Sequence, residues 1–137
     1  MRDARSRLNI LHVFRAPVGG LFRHVVDLAN GQIERGHKVG LIADSTTGGT
    51  QAEAKLAELA PRLSLGLTRI PMSRHAGLVD ATATAHVSAR ALETQADVIH
   101  GHGAKGGAYA RLARRRGAIA VYTPHGGSLH YRWQSPI

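Results

Sequence analysis

Five short apolar runs alternate with four amphipathic segments along this chain, and this rhythm restricts its fold more than any other feature. The apolar runs have the length of β-strands and occupy residues 8–14, 38–44, 65–71, 97–100 and 118–122. The segments between them repeat apolar residues at helical spacing, as Leu21, Val25, Leu28 and Ile33 do in the first. Such alternation is typical of parallel strands joined by right-handed helical crossovers. The sequence therefore predicts an α/β domain, a Rossmann-like doubly wound parallel sheet with helices on both faces.

One strand order is favoured for this doubly wound sheet. The third run alternates apolar and polar residues and ends at Pro71, which suits an edge strand. We therefore predict the strand order 3-2-1-4-5, with the switch point between strands 1 and 4. Ligands of open α/β sheets bind at such a point, outside the carboxyl ends of the strands. Candidate functional residues are thus those that follow each strand.

Composition limits the class of protein. The chain has 137 residues, 43% of them hydrophobic and 20% charged, as expected for one globular domain. It contains no cysteine, which excludes disulfides, thiolate metal sites and cysteine nucleophiles and fits a reducing compartment such as the cytoplasm. No apolar run is long enough to span a bilayer. We expect a single domain over residues 1–137.

The charge balance points to an anionic partner. Eighteen basic residues stand against nine acidic ones, and the formal net charge is +9. The basic residues are scattered, with clusters only near residues 2–7 and 114–116, and no helix interleaves basic and aromatic residues. We therefore expect a phosphorylated small molecule rather than nucleic acid. Peripheral contact with the inner face of a membrane is also compatible with this charge.

Polar residues and glycines follow three of the strands that should meet at one edge. Gly19 and Gly20 lie between a strand and a helix, where they could cradle a phosphate or simply form the turn. His100, His102 and His125 follow two neighbouring strands, where they could bind a metal or donate hydrogen bonds to phosphate or sugar. We expect no carboxylate at this edge of the sheet and hence no catalytic metal. His12 and His24 are expected to be structural.

Two basic side chains complete the candidate set. Lys105 begins the fourth helix, where a cation opposes the helix dipole, so a nearby anion would relieve the conflict. Arg74 follows the third strand, where its side chain could reach over the carboxyl edge of the sheet or remain in solvent.

Four segments together resemble a known family. They are the glycine pair after strand 1, the phrase Ile70-Pro71-Met72-x-Arg74, the tract from Asp97 to Gly107, and Tyr122-Thr123-Pro124-His125-Gly126. In this order they resemble the amino-terminal half of family 4 retaining glycosyltransferases. The resemblance implies a GT-B fold, in which two Rossmann-like domains face each other across a cleft. It also implies that the sequence is truncated and lacks the donor-binding carboxyl-terminal domain.

The resemblance also implies roles for particular residues. Gly19 and Gly20 would lie against the donor diphosphate and the acceptor, and His125 would be the catalytic residue beside the transferred sugar. The other residues expected to bind substrate are Arg74, His100, His102, Lys105 and Gly126. Such enzymes use no metal or other cofactor, and they transfer sugar from a nucleotide-diphosphate sugar to a glycan or lipid-linked acceptor. The isolated chain is therefore expected to be inactive. The alternatives are a flavodoxin-like phosphate- or nucleotide-binding module and a histidine-rich, metal-dependent hydrolase-like domain.

Overall fold

The computed structural model describes residues 7–113, 115 and 117–125. These residues form one five-stranded parallel sheet with the strand order 3-2-1-4-5, so the predicted fold and strand order are confirmed. The strands are β1 (Asn9–Phe14), β2 (Lys38–Asp44), β3 (Gly66–Ile70), β4 (Val98–His102) and β5 (Ile119–Thr123). The helices are α1 (Gly19–Glu34), α2 (Gly49–Leu59), α3 (Leu78–Glu93) and α4 (Gly103–Leu112). A short 3₁₀ turn, Ala60–Arg62, follows α2.

Helices cover both faces of the sheet, and each face has its own apolar core. On one face, β1 and β2 pack against α1 and α2 through side chains that include Phe14, Leu41 and Leu56. On the other face, Leu11, Val13 and Ile99 pack against α3 and α4. Successive side chains of β1 point to opposite faces of the sheet, so Leu11 and Val13 join one core and Phe14 joins the other. The predicted doubly wound arrangement is confirmed.

The fourth strand differs from its predicted bounds. The sequence suggested that it ends at His100, but β4 continues to His102 and α4 begins at Gly103. The extension has a physical cause, since His102 pairs in register with Phe14 of β1 and Thr123 of β5. His102 is consequently a fully buried strand residue rather than part of an exposed loop.

The helix α4 lies unusually close to the sheet. A Cβ added to Gly106 would overlap the carbonyl oxygen of Val13 and lie 3.2 Å from the Cα of Phe14. A Cβ on Gly101 would lie 2.6 Å from the Cα of Gly107, and one on Gly107 would reach the ring of Tyr122. Three glycines thus remove the side chains that would hold α4 away from β1, β4 and β5. This contact fixes the position of the helix whose first turn borders the site.

Among the described residues, no helix combines the length and the apolar character that crossing a bilayer requires.

Candidate functional site

Two helices begin side by side at the carboxyl edge of the sheet. α1 follows β1 and starts at Gly19, whose φ of +65° is one that glycine adopts without strain. α4 follows β4 and starts at Gly103. Neither helix has a side chain capping its first N–H groups, and the first turn of each lacks an acidic residue. Uncapped N–H groups and the positive end of the helix dipole favour an anion here.

Five imidazole rings are grouped next to these helix ends. The rings of His100 and His102 stack with their centroids 4.0 Å apart and their planes at 20°. The ring of His12 lies 5.1 Å from that of His102, and His125 lies 5.3 Å from His102. His24, one turn after Gly20 on α1, has its ring 5.2 Å from that of His125. The three histidines proposed from the sequence do come together.

Hydrogen bonds connect several of these rings. Nδ1 of His102 lies 3.1 Å from Nε2 of His125, and Nε2 of His102 lies 2.9 Å from Nδ1 of His12. Nε2 of His12 lies 2.7 Å from Oε1 of Gln32 on α1. His100 takes a different partner, the hydroxyl of Thr123 at 2.6 Å. Both ring nitrogens of His12 and of His102 therefore have partners within the chain.

Burial favours the uncharged form of His12, His100, His102 and His125. Desolvation lowers the pKa of His12 to about 4, an effect to which nearby His100 and His24 add and which the hydrogen bond to Gln32 partly offsets. Desolvation together with the neighbouring histidines lowers the pKa of His102 to about 2. The pKa values of His100 and His125 are also lowered, again chiefly by desolvation. These four imidazoles are thus neutral near neutral pH, and each can accept as well as donate a hydrogen bond.

Sequence reasoning missed two members of this group, His12 and His24. Both were expected to be structural, but each belongs to a set of three histidines whose nitrogens lie within 4.8 Å of one another. One set is His12, His100 and His102, and the other is His24, His102 and His125. The register could have revealed the first set, since His12 lies opposite His100 in the pairing of β1 with β4. Three histidines are a ligand set that zinc sites use, and each of these sets provides one. That the site binds no metal stays a prediction.

Lys105 has a partner from the chain itself. Its Nζ lies 2.8 Å from Oδ1 and 2.9 Å from Oδ2 of Asp80, and the hydroxyl of Tyr109 donates to the same carboxylate. Hydrogen bonds from Lys105 and Tyr109 lower the pKa of Asp80 to about 2. Asp80 therefore supplies the anion that a lysine at a helix N-terminus requires. This pairing joins α3 to α4, and binding of an acceptor by Lys105 stays a prediction.

The expectation that no carboxylate lies at the carboxyl edge of the sheet was wrong. Asp80 reaches the start of α4, and Asp44 ends β2 at the same edge of the sheet. Asp44 is fully buried and accepts hydrogen bonds from the hydroxyls of Thr46 and Thr47 and from the N–H of Met72. Burial alone would raise its pKa, but these hydrogen bonds outweigh burial and lower it. Both carboxylates are thus occupied by internal partners.

The remaining candidates have less definite surroundings. Gly20 is exposed in the first turn of α1, and a Cβ built on it would meet no atom within 4 Å. Arg74 is exposed in the segment between β3 and α3. Gly126 lies outside the described residues. The structure therefore leaves space beside Gly20 that a ligand could occupy.

Acidification is expected to destabilise the domain. An unfolded histidine titrates near pH 6.5, whereas folded His12 and His102 have pKa values of about 4 and about 2. The unfolded state therefore binds more protons as pH falls below 6.5, and the free energy of unfolding decreases through that window. Urea unfolding at about pH 7.5 and about pH 5 measures the difference.

A pair of variants separates this effect from general acid sensitivity. His102→Gln should reduce the pH dependence, whereas His86→Gln, on the exposed side of α3, should retain it. Equal free energies of unfolding at the two pH values would contradict the burial of neutral histidines.

The family described as Glycosyltransferase Family 4 matches residues 18–137. No curated protein matches the sequence.

Solved structures share the fold at low sequence identity. A glycosyltransferase from Rickettsia africae ESF-5 superposes with a TM-score of 0.64 at 19% identity over 85% of this chain. MurG from Acinetobacter baumannii superposes with a TM-score of 0.60 at 16% identity over 84% of this chain. The chain spans only 29% and 34%, respectively, of the lengths of these two proteins.

The same fold occurs in a protein of another kind. The C-terminal domain of the PF1911 hydrogenase from Pyrococcus furiosus superposes with a TM-score of 0.58 at 14% identity. That match covers 83% of this chain and 89% of the hydrogenase domain. Since one fold supports unrelated functions, the fold alone does not specify the chemistry.

Proposed function

This chain belongs to Glycosyltransferase Family 4, and on that premise we propose that it is the acceptor-binding half of a sugar-transferring enzyme. The donor is a nucleotide-diphosphate sugar, transfer proceeds with retention, and the acceptor is a glycan or a lipid-linked glycan precursor. The enzyme acts in the cytoplasm, in synthesis of a glycan or glycolipid. The family match carries this proposal, and the placement of His125 beside two uncapped helix ends supports it.

In this proposal the residues at the carboxyl edge of the sheet bind three groups: the diphosphate, the transferred sugar and the acceptor. The exposed N–H groups at Gly19 and Gly20 approach the diphosphate, because no side chain intervenes and the helix dipole favours negative charge. His125 contacts the transferred sugar, with His102 behind it. His100, Arg74, Lys105 and Gly126 contribute to the acceptor side. The positive net charge of the chain favours arrival of an anionic donor or acceptor.

An assay of donor turnover tests the proposal. A protein that carries these residues together with a donor-binding domain should release nucleotide diphosphate when acceptor is added, whereas the 137-residue chain alone should give no detectable turnover. Half of a cleft lacks most of the groups that stabilise the leaving diphosphate. Rapid turnover by the 137-residue chain would contradict the proposal that transfer also needs a donor-binding domain.

A glycine pair provides a matched test of the diphosphate contact. Gly20→Val places a branched side chain where backbone is proposed to approach the ligand, while Gly31→Val places the same side chain later in α1. Neither Cβ would meet an atom of the folded chain within 4 Å. Only Gly20→Val should weaken use of the donor or acceptor. Equal effects of the two substitutions would indicate a cost to the helix and not a ligand contact.

We also propose that the reaction uses no metal, because the ring nitrogens of His12 and His102 already bond within the chain. Protein purified without chelator is expected to contain no stoichiometric metal by elemental analysis, and a zinc titration should show no tight site. One equivalent of zinc that is lost on replacing His102 would instead favour the hydrolase-like alternative.

A further inference from the structure

A continuous line of hydrogen bonds connects helix α1 to the candidate catalytic histidine. It runs from Oε1 of Gln32 to His12, from His12 to His102, and from His102 to Nε2 of His125, with heavy-atom distances of 2.7, 2.9 and 3.1 Å. His12 and His102 are fully buried, and Gln32 and His125 are partly buried at the two ends. We refer to these four residues as the histidine line.

The protons in the histidine line can be counted. A neutral imidazole has one N–H donor and one bare nitrogen, so each ring must donate in one direction and accept from the other. Oε1 of Gln32 is an amide oxygen and can only accept, which places the proton of His12 on Nε2. The bare Nδ1 of His12 then accepts from Nε2 of His102. By the same reasoning, the bare Nδ1 of His102 accepts from Nε2 of His125.

The rings must be neutral for this count to hold, and their surroundings favour the neutral form. Burial disfavours an imidazolium at His12 and His102. Among the residues that the structure describes, no carboxylate hydrogen-bonds to either ring, and the polar groups that contact the rings are other imidazoles and Gln32. A proton moved inward from His125 would charge a buried ring. The line therefore fixes the position of protons and does not carry them.

We propose that Gln32 and His12 are positioning residues that, through His102, hold His125 in the tautomer with its proton on Nε2. Nδ1 of His125 is then the nitrogen left for the cleft, and it presents a lone pair. The group that it recognises is a hydrogen-bond donor, a hydroxyl of the sugar or the acceptor. The identity of that hydroxyl rests on the proposed function, whereas the tautomer does not.

The tautomer can be measured directly on the 137-residue chain. Long-range ¹H–¹⁵N spectra of ¹⁵N-histidine-labelled protein distinguish a protonated from a bare ring nitrogen. The expected result is an Nε2–H signal and a bare Nδ1 for each of His12, His102 and His125. An Nδ1–H form of His125, or equal populations of the two forms, would overturn the proposal even if sugar transfer were demonstrated.

A matched pair of variants tests the role of Gln32. Gln32→Met removes the accepting oxygen at similar length, and Asn30→Met makes an equivalent change nearby on α1, where the amide accepts from Arg62 instead. Gln32→Met should give His125 a mixture of tautomers while Asn30→Met leaves its spectrum unchanged. An unchanged tautomer in a folded Gln32→Met variant would overturn the role of Gln32.

Activity of the two-domain enzyme gives an independent reading. Gln32→Met should lower kcat by about 10-fold, since a wrong tautomer offers a donor where an acceptor is needed. A shifted tautomer with unchanged kcat would overturn the link to the substrate hydroxyl. Absence of transfer by the unaltered enzyme would contradict the proposed function and leave the tautomer result standing.

Discussion

Replacement of His125 with alanine in an enzyme containing this domain is expected to lower sugar transfer by about 100-fold or more. The imidazole follows β5 at the edge where α1 and α4 begin, and it is the outermost member of the line that passes through His102. Alanine removes the polar contact with the transferred sugar and leaves His102 without its outer partner. Initial rates with saturating donor and acceptor give the loss in kcat.

The control for this substitution is an exposed histidine away from the site. His86→Ala removes an imidazole from α3, on a surface with no proposed ligand, and should retain normal turnover. Circular dichroism establishes that both variants keep their fold. Near-normal turnover by His125→Ala would show that the histidine is structural and that the functional site is wrongly assigned. Membership of the family would be unaffected.

Replacement of Gly106 with alanine is expected to lower the free energy of unfolding by about 3 kcal/mol. The added Cβ would overlap the carbonyl oxygen of Val13, in the central strand, and neither backbone can move away without breaking the sheet or α4. Gly31→Ala is the matched control, because its Cβ would meet no atom within 4 Å. Alanine is more favourable than glycine inside a helix by about 1 kcal/mol, so this variant should not lose stability. Urea unfolding compares the two variants. A Gly106→Ala protein as stable as the unaltered chain would contradict the close packing of α4.

The fold could be predicted from the sequence because its signals are local. Each strand is a short apolar run bounded by turn residues, and each helix repeats apolar residues at its own period. The alternation of strands and helices implies that the strands are parallel. Because connections between parallel strands are right-handed, few strand orders are then possible. The end of β4 was the exception, because pairing of His102 with Phe14 and Thr123, and not its own composition, keeps it in the strand.

The site could be predicted only in part because its remaining members meet through tertiary contacts. His100 and His102 end β4, and His125 follows the neighbouring strand β5, so topology brings them together. His12 lies within an apolar run and resembles a core residue until the register with β4 is known. Asp80 precedes Lys105 by 25 residues, on a different helix, and no local pattern indicates that they pair.

The central position of β1 has a consequence for how this domain forms during synthesis. β1 pairs with β2 nearby in the chain, but its other partner, β4, begins at Val98. The first three strands can associate early on the ribosome, while one side of β1 waits for the rest of the sheet. The imidazole group needs residues from His12 to His125, so it is assembled only after β5 has emerged. A nascent chain halted before that point would contain most of the sheet and none of the finished site.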